Sequence, residues 1–210
     1  MKRVLVVCKT RINEDQLCLG GIVEKSYEKI RLLTPGGDNQ PVDTVFYVGD
    51  IWECEIAAKP GAKKPHTEDT LVHPHRCSYR VSNMRKFLLE RSDLEPSAPD
   101  ALFDGLLNRT KNGSAYIARR TGLPGYAHAF WLPMHGLELK PEQKRGETKN
   151  YYYYEDSAVP ELFRLPYIGL HAPVEYLPAR TLLHLSLARW WKQPRVRESR
   201  CYLQLSAFFT

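Results

Sequence analysis

Basic and aromatic side chains cluster near the end of the chain in a pattern that could bind nucleic acid. Trp190 and Trp191 are followed by Lys192, Arg195 and Arg197, and a second basic group precedes a run of tyrosines at residues 151–154. Cations neutralise phosphates and flat rings stack on bases, each stack contributing ~1–3 kcal/mol. The nucleic-acid-binding candidates are Lys9, Arg11, Arg119, Arg120, Lys144, Arg145, Trp190, Trp191, Lys192, Arg195 and Arg197.

The tryptophan pair also fits other interpretations. One ring could pack in the core while the arginines are solvated, although adjacent strand residues point to opposite faces, so one ring of the pair should face outward. Tyrosine and tryptophan favour protein interfaces as readily as nucleobases, which leaves a protein-interaction or scaffolding subunit as the alternative. A salt titration distinguishes nucleic-acid binding from a protein interface, because phosphate contacts make affinity fall steeply as the salt concentration rises.

A third hypothesis is a metal-dependent enzyme. Imidazole and carboxylate groups are the usual ligands of zinc, manganese and iron, and a His-x-His pair on an extended segment places both rings on one side. The spacing matches no established metal signature, and the chain has no HExxH, CxxC or GxSxG motif. We therefore expect no catalytic residue and no cofactor. The residues of this hypothesis are His66, Glu68, Asp69, His73 and His75.

Composition fits a globular chain, and its mild basic excess either serves solubility or marks a face for an anionic partner. The 210 residues are 43% hydrophobic, and the net charge of +6 comes from the last two thirds of the chain. The apolar run at residues 4–7 is too short for a signal peptide, and no stretch suits a membrane helix. We therefore expect a cytoplasmic protein with no membrane partner. The odd, scattered set of five cysteines indicates buried thiols rather than a disulfide framework.

Periodicity predicts mainly β structure with a short helical insert. Strands are expected at both ends, over residues 3–8, 18–23, 29–33, 181–187 and 201–209. Between them, residues 44–48 and 50–57 alternate as strands, with Trp52, Cys54 and Ile56 on the buried face. Apolar residues at helical spacing predict two short helices near residues 82–91 and 99–107, with Ser82 as the N-cap of the first.

The later part of the chain returns to short strands. They are expected at residues 115–120, 127–132, 137–139 and 151–154, with a charged loop over residues 140–150. These patterns predict two small β-barrels flanking the helical insert. The expected boundaries are residues 1–78 for the first barrel, 79–110 for the insert and 111–210 for the second barrel.

Three stretches resemble the bacterial dual OB-containing domain family. Residues 1–34 carry a strand ending in basic residues, then a strand with two glycines, then KIRLL; residues 49–72 lead from a strand into a proline and histidine loop; residues 181–209 form a closing hairpin. The resemblance implies two OB-like barrels that contact single-stranded or structured RNA or DNA. It also implies a non-catalytic subunit of a bacterial defence or mobile-element system, in which a larger protein partner supplies catalysis.

Overall fold

The computed structural model describes residues 1–92, 94–144, 146–154, 162–194 and 197–210, and the chain divides into two compact units. Unit 1 is Met1–Asp93 and unit 2 is Leu94–Thr210. Both are built mainly from antiparallel β-strands, which confirms the predicted fold class. The finer division at residues 78 and 110 stays a prediction. In the described residues, no helix is long and apolar enough to span a membrane.

Unit 1 is a closed five-strand barrel. The elements of unit 1 are β1 Lys2–Arg11, β2 Gln16–Val23, β3 Lys29–Leu33, β4 Gln40–Pro41, β5 Asp50–Ala58, β6 Asp69–Arg80 and helix α1 Met84–Leu89. Strand β1 pairs with β2, β2 with β3, β5 with β6 and β1 with β5, all antiparallel, while β3 and β6 close the ring in parallel. This order, first to second to third to fifth to fourth, is that of an OB barrel.

Glycine allows the first two strands of unit 1 to cross closely. A Cβ at Gly21 would lie 2.7 Å from Leu32 Cδ1 and 2.9 Å from the carbonyl oxygen of Leu5, so no larger residue fits there without movement. Opposite this glycine the pairing register shifts between Val6 and Cys8 of β1. The register shift lets β1 bend around the core of unit 1. Cys54, on the face predicted to be buried, contributes to that core.

Unit 2 follows the same strand order with a broken first strand. Its strands are β7 Asn108–Arg109, β8 Ala115–Ala118, β9 His128–Trp131, β10 Leu137–Lys144, β11 Glu147–Tyr154, β12 Phe163–Pro166, β13 Tyr176–Leu177, β14 Leu182–Leu187 and β15 Arg200–Phe209. Segment β9 pairs with β14 and segment β10 pairs with β11, so the two segments together form the first strand of the barrel order. Strand β11 pairs with β12, β14 with β15, and a parallel bridge from Tyr167 to Leu205 joins the third strand to the fifth.

The core of unit 2 is aromatic at its centre. Trp131 is fully buried, and its ring centroid lies 5.4 Å from that of Tyr154 and 5.9 Å from that of Phe163. The indole Nε1 donates to the carbonyl oxygen of Ser97 over 3.0 Å, so burial leaves this polar atom satisfied. Tyr154 on β11 and Phe163 on β12 are therefore fixed in the core of unit 2.

Several local expectations were wrong. Residues 44–48 form no strand, and residues 140–144 and 147–150 belong to β10 and β11 rather than to a loop. The first helix is capped by the Asn83 side chain, which accepts from the Lys86 N–H, and not by Ser82. The second is a 3-10 helix, Pro99–Gly105. Cys77 is exposed, so not every thiol is buried.

Candidate functional site

A groove of about 1140 Å³ opens on the outer face of unit 2. Its floor is formed by the second, third and fifth strands of the barrel, which are β11, β12 and β15. One wall is the β10–β11 hairpin, which we call the hairpin arm, and the other is formed by loop residues 188–194, which with residues 197–199 we call the long loop. The lining residues are Ser114, Lys144, Glu147, Thr148, Lys149, Asn150, Tyr151, Pro166, Tyr167, Ile168, Ala188, Trp191, Gln193, Pro194, Tyr202, Leu203 and Gln204.

Trp191 forms an aromatic wall at the base of the long loop. Its backbone forms an antiparallel bridge with Arg200: the Trp191 N–H donates to the Arg200 carbonyl over 3.0 Å, and the Arg200 N–H donates to the Trp191 carbonyl over 2.8 Å. The indole lies 6.1 Å from the ring of Tyr202, which in turn lies 5.7 Å from that of Tyr116. Trp191 is nevertheless 52% exposed. The ring is therefore held in place by its backbone and offers a free face to a flat ligand.

Trp190 has the opposite environment. It is half-buried and packs against the core of unit 2, and the Arg119 guanidinium lies 5.1 Å from its ring centroid. The two neighbouring tryptophans thus divide between core and surface. Trp190 contributes packing and a cation–π contact, while Trp191 is the ring available to the groove.

The hairpin arm supplies the cations of the groove. Lys144 and Lys149 are both exposed and both line the groove. Lys149 Nζ lies 3.6 Å from Glu147 Oε2, an exposed pair that solvent screens strongly. Lys192 and Arg197 are exposed on the long loop. Arg145 and Arg195, two of the candidate residues, lie outside the described residues.

A polar network beneath the hairpin arm links three strands. Arg164 on β12 is buried and donates to Glu142 on β10, to the Tyr153 hydroxyl at 3.1 Å and to Ser114 Oγ at 3.3 Å. Its guanidinium also lies 4.4 Å from the ring centroid of Tyr151. Burial raises the pKa of Glu142, but hydrogen bonds from Tyr153 and Arg164 outweigh it and hold this pKa below its usual value. The network therefore holds β10, β11 and β12 together beneath Lys144 and Lys149.

Two other arginines near the long loop already have partners. Arg120 Nε lies 3.2 Å from Glu198 Oε2, and the Arg200 guanidinium lies 4.0 Å from the ring centroid of Tyr116. Arg200 also contacts Glu198 at 3.3 Å. These contacts brace the long loop against β8 and β15. Arg120 was a candidate for ligand binding, and in the structure it pairs with Glu198 of the long loop instead.

The corresponding face of unit 1 is filled by its own side chains. Arg31 on β3, buried, contacts Asp69 at 3.2 Å, Cys18 Sγ at 3.1 Å and the side chain of Asn39, which itself donates to Gln16 over 3.2 Å. Burial raises the pKa of Asp69 although Arg31 opposes it. A buried, hydrogen-bonded ion pair at this place leaves little room for a ligand on the second and third strands.

Lys9 and Arg11, the two nucleic-acid-binding candidates in unit 1, have different environments. Lys9 is half-buried, its Nζ donates to the Phe46 carbonyl at 2.8 Å, and the same atom lies 5.0 Å from the Tyr47 ring centroid. Burial lowers the pKa of Lys9. Arg11 is exposed and donates to the carbonyl of Glu14 at 3.4 Å in the loop between β1 and β2. Neither lies in the groove of unit 2.

The histidine and carboxylate residues of the metal hypothesis do not form a cluster. His66 is buried in the loop before β6, and Asp69 contacts Arg31. His73 and His75 lie exposed on β6, where His75 Nε2 is 3.5 Å from Glu55 Oε1. Across the described residues, no group of three or more His, Cys, Asp or Glu side chains is placed to hold a metal ion. The geometry thus gives the metal hypothesis no support.

Sequence reasoning missed Tyr202 and Gln204 of the groove floor. The signal was present in RCYLQLSAFF, because Cys201, Leu203 and Leu205 alternate with these two residues and enter the core. An outward tyrosine and glutamine on the strand after a basic loop could have been added to the candidate list. The Glu142–Arg164 contact had no such signal, since the two residues are distant in sequence.

Comparison with known proteins agrees with the strand order of the two units. The family model described as dual OB-containing domain matches residues 2–208, far beyond the three stretches that carried the resemblance. No curated protein and no solved structure matches the chain significantly.

Proposed function

The chain belongs to the dual OB-containing domain family, and from this premise we propose that it binds single-stranded nucleic acid in the groove of unit 2. One observation carries the proposal: Trp191 and Lys144, from opposite walls, line the same groove. In OB barrels, oligonucleotides bind across the second and third strands between the first–second and fourth–fifth loops. The hairpin arm and the long loop are those two loops in unit 2.

The two walls supply the two interactions that a single strand needs. Lys144 and Lys149 carry positive charge at the hairpin arm, where phosphates would be neutralised. Trp191 on the other wall and Tyr202 on the adjoining floor offer rings for stacking with bases. A single strand is favoured over a duplex because its bases are free to turn toward the rings. The same groove accepts an unpaired segment of a structured RNA.

Unit 2 rather than unit 1 is the proposed binding unit. The equivalent strand face of unit 1 is occupied by the Arg31–Asp69 pair and the amides of Asn39 and Gln16. Displacing them would leave a buried guanidinium without its partner, which is strongly unfavourable. Of the candidate residues, Lys144, Trp191, Lys192 and Arg197 therefore form the proposed interface, together with Lys149 and Tyr202.

Removing the hairpin-arm charges tests the phosphate contacts. The slope of log affinity against log salt changes by ~0.7 for each phosphate contact to a single strand. We therefore expect the Lys144→Ala/Lys149→Ala variant to bind a fluorescent oligonucleotide with a slope shallower by about 1.4 than that of the natural chain. The measurement is fluorescence anisotropy over a series of salt concentrations.

A matched control keeps the change of net charge constant. Lys63 and Lys64 are exposed and lie in the loop between β5 and β6, the fourth–fifth loop of unit 1. The Lys63→Ala/Lys64→Ala variant should retain the natural slope. Equal slopes for the two double variants would show that charge acts at long range, and would remove the hairpin arm from the proposed interface.

A protein partner is the second proposed function, and unit 1 offers the surface for it. Ile12, Val42, Val45 and Tyr47 are exposed apolar or aromatic side chains, and Val42 N–H donates to the carbonyl of Asp15 in the loop that holds Ile12. The family context suggests a cytoplasmic, non-catalytic subunit of a bacterial defence or mobile-element complex, whose partner is catalytic. A partner that binds the natural chain should be lost with Val45→Glu, while oligonucleotide affinity stays unchanged.

A further inference from the structure

Three side-chain amides in the groove have no hydrogen-bond partner among the residues that the structure describes. Asn150, Gln193 and Gln204 line it and are half-buried. None of their side chains has a hydrogen bond to another residue within the part of the chain that the structure describes. Elsewhere in unit 2, the amide of Asn108 donates to Thr121 Oγ1 at 2.8 Å, and that of Gln143 to Thr148 Oγ1 at 2.7 Å. The groove amides differ from these in having their hydrogen-bonding capacity free.

We infer that these amides, and Gln204 and Asn150 above all, read the edges of nucleobases bound in the groove. The inference rests on the proposed nucleic-acid function and adds that binding depends on sequence. An amide presents an acceptor and a donor side by side, which matches the paired donors and acceptors of a base edge. Sugar and phosphate oxygens provide acceptors only or a lone hydroxyl, and use this pair less fully.

The position of Gln204 fits this role. It lies two residues after Tyr202 on β15, and side chains at that spacing leave a strand on the same face. The intervening Leu203 is buried in the core. A base that stacks against Tyr202 or Trp191 would therefore present its edge along the strand toward Gln204. Stacking alone tolerates any base, whereas an amide beside the stack discriminates between them.

Asn150 lies across the floor from Gln204. It is on β11, its backbone carbonyl accepts the Tyr167 N–H at 2.9 Å, and it separates Lys149 from Tyr151 in the lining of the groove. The backbone is thus fixed by the third strand while the side-chain amide stays free. With one amide beside the aromatic wall and one beside the hairpin arm, the groove can read more than one base of a strand.

Homopolymer binding tests the inference. Each good bidentate contact to a base discriminates by about tenfold or more. We expect the natural chain to bind oligo(dA), oligo(dC) and oligo(dT) of equal length with affinities that spread over about tenfold or more. In Asn150→Ala/Gln204→Ala the spread should fall below about threefold, with the salt dependence unchanged.

A control and the contrary outcomes complete the test. Gln143→Ala removes an amide that is already paired with Thr148, and it should keep the natural spread. Equal affinity of the natural chain for all three homopolymers overturns base reading, and so does a double variant that keeps the full spread. Loss of base reading leaves the nucleic-acid proposal standing. Failure of every homopolymer to bind instead contradicts the proposed function itself.

Discussion

Replacing Glu142 by alanine lowers the free energy of unfolding of unit 2 by about 3 kcal/mol. The change leaves Arg164, whose side chain is 7% exposed, without its carboxylate partner. Tyr153 also loses the acceptor of its hydroxyl. A buried charge without its counter-ion is costly, so the effect exceeds that of ordinary surface substitutions. Hydrogen exchange of the β11 and β12 amides measures the loss in unit 2 separately from unit 1.

Glu147→Ala is the matched control for this experiment. Glu147 lies on the same hairpin arm and pairs with Lys149, but its side chain is 74% exposed. Its removal should change stability by less than about 0.5 kcal/mol. If Glu142→Ala and Glu147→Ala destabilise unit 2 equally, the buried network does not hold the hairpin arm in place.

The same network predicts acid sensitivity. The pKa of Glu142 in the folded protein lies below its usual value. Its contribution to stability is therefore complete above the unfolded pKa of about 4.3 and is lost as the pH falls through the folded value. Protection of the β11 amides should decline over this acidic range in the natural chain. The decline should be smaller in Glu142→Gln, which cannot titrate.

Replacing Trp191 by alanine weakens oligonucleotide binding by about 10- to 100-fold, the value of one base stack. The ring lines the groove, and it contributes little to the core because half of it is exposed. Binding should therefore fall without a comparable loss of stability. Isothermal titration calorimetry with a single-stranded oligonucleotide, together with a thermal melt of the variant, separates the two effects.

Tyr47→Ala serves as the control for Trp191→Ala. Tyr47 is 57% exposed and lies near Lys9 and Arg80, so it has the same character as Trp191, but it belongs to unit 1. It should leave oligonucleotide affinity unchanged. A loss of affinity at Tyr47 that equals the loss at Trp191 would move the binding surface to unit 1 or divide it between the units.

The fold was predictable wherever strands are buried. Residues 3–8 and 201–209 carry continuous or alternating apolar side chains, and both lie in strands of the barrels. Sequence alone predicts a loop at the hairpin arm, because its side chains are mostly exposed and charged and show no apolar alternation. Its strand pairing comes from backbone hydrogen bonds between β10 and β11, which leave no mark on side-chain type.

The candidate site was predictable only in part. The sequence could show that one tryptophan of the pair faces outward, and the structure places Trp191 there. It could not show that Lys9 would be held by Phe46, since that contact joins residues that are distant in the chain. It also could not show that Arg31 and Arg164, both on third strands, would be buried in separate networks. Such contacts depend on closure of each barrel.

Photo-cross-linking locates a bound oligonucleotide on the surface of the chain. A single-stranded oligonucleotide that carries 5-iodouracil at each position in turn is irradiated with the full-length chain, and the cross-linked peptides are identified by mass spectrometry. We expect the cross-links to map to Trp191 and Tyr202, the rings that line the groove of unit 2. Cross-links that map instead to Tyr47 or elsewhere in unit 1 would show that the groove of unit 2 is not the binding site.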